Sequence, residues 1–68
     1  MKPVYRTEIV IDSLATGVAA REHRKSKSLS LREASEKMGI SSMFLCDLEH
    51  GKRNWTLELV QKFNNATK

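Results

Sequence analysis

The sequence predicts an all-α fold, a compact bundle of four or five short helices with an extended arm or short strand over residues 1–10. Three observations predict it. Apolar residues recur at helical spacing in short runs from about Asp12 onward. Ser30, Ser41 and Thr56 each stand at the head of such a run, where a side-chain oxygen can cap a helix. Gly39 and Gly51 stand just past the ends of two runs, where a left-handed residue stops a helix.

Size and charge frame the elements. A chain of 68 residues makes one domain, and a domain this small buries only about 60% of the surface its unfolded chain exposes, so a second copy would help to stabilise it. Twelve Lys and Arg against eight Asp and Glu leave a net charge of +4, which points to a polyanionic partner. The single cysteine excludes an internal disulfide, and neither a signal-peptide core nor a membrane-length apolar run is found. A cytoplasmic protein in a reducing compartment, with no membrane partner, is the expectation.

In residues 1–10, Tyr5, Thr7, Ile9 and then Ile11 alternate with Arg6, Glu8 and Val10, the pattern of a strand or extended arm, with a helix begun at Thr7 as the alternative. From about Asp12 to Lys27 the chain reads as a first helix. Ala15, Val18 and Ala19 form its apolar stripe, and Arg21, Arg24, Lys25 and Lys27 suit the C-terminal end of the dipole. Gly17 weakens this helix by roughly 1 kcal/mol relative to Ala. The second helix starts at Leu31 behind the capping box Ser30/Glu33, with Leu29 and Ala34 as a staple, and stops after Met38 at Gly39. Ser41 caps the third, with Ile40 and Leu45 as staple, and Gly51 ends it after His50. Thr56 caps the fourth, whose staple is Trp55 with Val60 and whose inward stripe is Leu57, Val60 and Phe63. The tail NNATK has no apolar period and is expected to fray. Residues 11–66 thus form one unit around a core motif at 31–50.

That core motif is informative. Ala34, Ser35 and Met38, then Gly39 and Ile40, then Leu45 and Leu48 are the small and apolar positions that two helices need to pack across a tight turn. The pattern is a helix-turn-helix, whose second helix lies in the DNA major groove when the motif serves recognition.

The stretch GVAAREHRKSKSLSLREASEKMGISSMFLCDLEHGKRNW, beginning at Gly17, resembles the phage repressor and Cro-type (XRE-like) helix-turn-helix regulators, and the likeness runs to Phe63, about two thirds of the chain. The resemblance implies a lambda-repressor-like bundle that binds a double-stranded DNA operator as a homodimer and represses transcription. It also implies that Arg24 and Glu49 form an ion pair joining the first helix to the third, and that Gly39 and Gly51 are structural. Base reading falls on Ser42, Met43, Phe44, Cys46 and Asp47. Phosphate contact falls on Ser30, Arg32, Ser41, Lys52, Arg53 and Asn54. Three positions depart from the family pattern: Ser35 replaces the alanine of the tight crossing, Leu31 replaces a polar phosphate contact, and Trp55 replaces a frequent proline. The fifth helix of larger relatives has no counterpart.

Helical geometry gives the same face independently. If Leu45 and Leu48 point inward, then Ser42, Met43, Cys46, Asp47 and His50 point outward. Ser42 can bond a phosphate or a base edge, Met43 can press on a thymine methyl, and Asp47 can accept from cytosine N4. Near phosphates an acid is repelled, so Asp47 acts through a base or through Arg53. The plain alternative is a solvated helix face, and it is the better reading for Lys25 and Lys27. Lys2 and Arg6 either reach a groove or belong to a disordered or dimer-pairing terminus.

Cys46 and His50 lie one turn apart, but two ligands are too few for a metal site, and no cofactor is implied. No set of residues suggests an enzyme. The competing reading is an antitoxin-like or other protein-interaction module that keeps the scaffold and captures a partner protein, with VYRTEIVID adding a strand to its sheet edge.

Overall fold

The computed structural model describes residues 1–68 as four helices, α1 (Ser13–Ser26), α2 (Leu31–Met38), α3 (Ser42–Glu49) and α4 (Leu57–Ala66). Each begins on a capping side chain. Asp12 accepts from the Ala15 N–H, Ser30 from Glu33, Ser41 from Phe44 and Thr56 from Leu59, at 3.0 to 3.2 Å. The box at α2 is closed by the Glu33 carboxylate, which accepts from the Ser30 N–H. Gly39 is left-handed at φ 73°, and the N–H groups of Gly39 and Ile40 return to the carbonyls of Glu36 and Ser35, the two-bond pattern that closes a helix end. Gly51, at φ 75°, ends α3 in the same way: its N–H and that of Lys52 return to the Leu48 and Asp47 carbonyls.

α1 packs on α3, and α2 packs on both α3 and α4. The core comprises Ala20, Ala34, Met38, Leu45, Leu48, Trp55, Val60, Phe63 and Ala66. Inward positions on two helices differ from the sequence-based stripes. On α1 the buried residues are Thr16, Gly17 and Ala20, while Val18 is half exposed. The cause is Gly17: a Cβ there would lie 2.8 Å from the Glu49 carbonyl oxygen and closer still to that of Leu48, so α1 rests backbone to backbone on α3. On α4, Leu57 points to solvent and Ala66 replaces it in the core beside Val60 and Phe63.

The tail does not fray. Ala66 and Thr67 are buried, and Thr67 Oγ1 donates to the Phe63 carbonyl at 2.9 Å. The opposite terminus covers this end: the Met1 ammonium donates to Asn64 Oδ1, and Asn64 Nδ2 donates to the Met1 carbonyl at 2.7 Å. Neither a helix nor a free arm forms in residues 1–11. Tyr5 and Ile11 make one antiparallel bridge, Val4 N–H donates to Thr16 Oγ1 at 3.0 Å, and the segment folds back as a small hairpin against α1. No helix is long and apolar enough to cross a membrane.

Two predictions follow from this packing. Gly17→Ala gains about 1 kcal/mol of helix propensity, yet it drives a methyl into backbone carbonyls that cannot rotate away. A net loss of about 1–3 kcal/mol is expected, seen as a melting point lowered by several degrees; an unchanged or raised melting point would place α1 farther from α3. The second concerns His23, whose ring lies 6.0 Å from that of Phe63. Burial first, then the Met1 ammonium and Lys27, hold its imidazole below the ordinary histidine value. The unfolded chain therefore takes up the proton more readily, and stability must fall as pH drops below that ordinary value. Melting points from about pH 7 to about pH 5 should show this decline, and His23→Gln should flatten it.

Candidate nucleic-acid interface

Two side chains fix α3 at its C-terminal end. Arg24 on α1 grips the Glu49 carboxylate through Nε (2.8 Å to Oε2) and Nη2 (3.2 Å to Oε1), while Nη1 donates to the Leu29 carbonyl at 2.8 Å. Both partners are sequestered, with Arg24 11% and Glu49 2% exposed. This one guanidinium therefore ties α1 to α3 and to the approach of α2. Trp55 supplies the second anchor. Its indole N–H donates to the Leu48 carbonyl at 3.0 Å, its backbone N–H donates to Ser13 Oγ at 2.8 Å, and its ring meets Phe63 edge-on. A proline at this position has no backbone N–H to offer Ser13.

The crossing of α2 and α3 is equally closed. Ser35 is buried, and its hydroxyl donates to the Arg32 carbonyl at 2.9 Å, so the polar substitute for alanine leaves no unsatisfied group. Leu31 leans on the core. With Leu45, Leu48 and Glu49 buried, the rotation of α3 is determined, and Ser42, Met43 and His50 are left exposed. Met43 is the most open of these at 76%. Cys46 and Asp47 are half-buried on the flanks, and Cys46 Sγ lies 3.6 Å from His50 Nδ1, which also meets the Cys46 carbonyl at 2.7 Å. Phe44 differs from the others, because it packs partly on the core.

The residues assigned to phosphate contact lie in two places. Ser30 and Ser41, both exposed, use their hydroxyl oxygens as caps, which leaves each hydroxyl proton available to donate outward. Arg32 is open to solvent in an i,i+4 pair with Glu36 at 3.2 Å, a contact of little energetic weight. Lys52, Arg53 and Asn54 form the exposed loop after α3. Arg53 turns back onto the helix: its Nε lies 3.6 Å from Asp47 Oδ2, and its guanidinium carbon lies 5.3 Å from the Phe44 ring centre. Sequence reasoning named Arg53 as a partner for Asp47 but missed Phe44 as the ring beneath it. The available signal was the acid three residues after the aromatic, with an arginine just beyond the helix-ending glycine.

Two helices joined by a glycine turn, with the second anchored from behind and open in front, define a helix-turn-helix protein. Comparison with solved structures agrees. Two crystal structures of the clp gene regulator ClgR from Corynebacterium glutamicum are similar, each at 33% sequence identity. One superposes with a TM-score of 0.80 over 81% of this chain and 71% of that one. The other gives 0.73 over 75% of this chain and 54% of that one, so the chain spans about half its length. The chain belongs to the same family of helix-turn-helix regulators as ClgR. No protein-family model matches, and no curated protein does.

The anchor at Glu49 is open to test. Glu49→Ala leaves Arg24 sequestered without its counter-charge and should cost about 3–5 kcal/mol. The pair Arg24→Met with Glu49→Leu, which removes both charges together, should lose distinctly less than the two single losses added. Melting within a degree or two of the parent for Glu49→Ala would show that the pair bears no weight.

Proposed function

We propose that this protein is a sequence-specific DNA-binding transcriptional regulator of the phage repressor and Cro type, acting as a homodimer that lays α3 in the major groove of an operator and represses the adjoining promoter. The observation that carries this reading is the combination at α3: its inner face is locked by Arg24, Trp55 and Gly17, while its outer face is uncovered and followed directly by the basic loop. The similarity to a gene regulator and the net charge of +4 support it.

In this reading Ser42, Met43 and Cys46 meet base edges, since they project from the N-terminal and outer part of the helix that enters the groove. Asp47 and Phe44 flank them. Ser30, Arg32, Ser41, Lys52 and Asn54 hold the phosphates on either side, which positions the protein and makes affinity salt-dependent. One half-site gives few base contacts, so a second copy about one helical turn (roughly 34 Å) away supplies the selectivity an operator needs. The protein acts in the cytoplasm, on DNA, without a cofactor.

Selection of bound duplexes from a random DNA library tests this directly. An inverted repeat is expected, with affinity falling steeply with salt at a log-log slope of about −0.9 per phosphate contact. Met43→Ala should lose much of the preference for the selected duplex over a scrambled one, by roughly five- to a hundredfold, while keeping non-specific binding. No enrichment at moderate salt would favour a module that captures a protein instead, while a Met43→Ala variant with the full preference would remove Met43 from the residues that read bases.

A further inference from the structure

Arg53 belongs by position to the loop expected to grip phosphate, yet its side chain leaves that loop and lies along the flank of α3. Two groups lie beside it there: the Asp47 carboxylate is 3.6 Å from Nε, and the Phe44 ring lies under the guanidinium at 5.3 Å. The Arg53 side chain as a whole is still 57% exposed, so this is not burial but orientation. An arginine serving only as a phosphate contact gains nothing from a carboxylate beside it, because that acid repels the same phosphate. With Nε facing Asp47 and one face on the ring, the edge left open is the pair of terminal nitrogens. Two parallel donors on a planar, oriented fork match the O6 and N7 acceptors of guanine in the major groove.

We infer that Arg53 is a specificity-determining residue that reads a guanine, with Asp47 and Phe44 as the positioning residues that aim it. This rests on the DNA-binding reading above and assigns Asp47 a role through Arg53 instead of a base contact of its own. It also accounts for Phe44 being half-buried among the outward residues of α3: its ring is the platform on which the guanidinium is laid.

The test uses the full chain and the duplex that the parent selects from a random library. Affinities for that duplex and for a scrambled one are compared at fixed salt for the parent, Arg53→Ala, Arg53→Lys, Asp47→Asn, and Arg53→Ala combined with Asp47→Asn, with melting points as a check on folding. Arg53→Ala should weaken binding to the selected duplex by roughly ten- to a hundredfold more than binding to the scrambled one, and a repeat selection should relax at one G·C pair per half-site. Arg53→Lys keeps the charge but not the planar fork, so it should restore non-specific binding without restoring that preference. Asp47→Asn removes a negative charge and should leave scrambled binding equal or tighter while relaxing the same G·C pair. In the Arg53→Ala background it should have no further effect on preference.

Equal losses on both duplexes for Arg53→Ala, with an unchanged selected motif, would make Arg53 a phosphate contact and overturn the proposal. So would a loss of preference from Asp47→Asn that persists when Arg53 is absent, which would make Asp47 the reader. If the parent itself selects no motif, the DNA-binding reading fails along with this one; the variant patterns above sink only the assignment of Arg53.

Discussion

The rest of the structure depends on the direct contact of two helix backbones at Gly17. Because no side chain separates them there, α1 lies against the carbonyls of Leu48 and Glu49 at the end of α3. That closeness brings Arg24, two turns farther along α1, within reach of the Glu49 carboxylate. It also puts Ser13, one turn earlier, beside the Trp55 N–H. A wider spacing would part these contacts together. The last turn of α3 is thus held by packing, by charge and by hydrogen bonds at once, and it is the least free part of the motif.

This arrangement divides α3 by function. A helix of eight residues has little stability of its own, so its orientation comes from what grips it. All of the grips lie at the C-terminal end or on the inner face. The N-terminal end is held by the Ser41 cap and the glycine turn, and the outer face carries no packing duty apart from Phe44. Residues free of structural work at Ser42, Met43 and Cys46 are the ones that can change partner preference without loss of fold. Asp47 and Phe44 stand between the two groups. Both lie beside Arg53, and Phe44 also packs partly on the core.

The terminal segments show how a small chain closes its surface. Ala66 and Thr67 are buried at the end of α4, where Met1 packs on the core and is tied to Asn64 by two hydrogen bonds. The hairpin at residues 4–12 uses its own backbone groups, with Tyr5 bridged to Ile11, instead of presenting a long unpaired edge. Nothing in the local composition of NNATK or MKPVYRTEIV announces this mutual covering, since each segment looks polar or ambiguous until the other is placed against it.

The sequence by itself determined all four helices, the capping residues of α2 to α4 and the glycine turn. These are local matters: a Ser or Thr oxygen reaches an N–H three residues on, and a positive φ favours glycine, whatever the rest of the chain does. It also identified the solvent face of α3, because Leu45 and Leu48 are enough to fix a rotation. The tertiary structure alone decided which face of α1 is inward, since the periodicity of Ala15, Val18 and Ala19 carried no sign that Gly17 would serve as a contact and not as a weakness. It alone decided that Leu57 would give way to Ala66 in the core, and that Arg53 would turn back to Phe44 and Asp47. In each case the deciding partner lies on another element, on a distant part of the chain or across a turn, and no pattern confined to one helix encodes a neighbour that the helix does not contain.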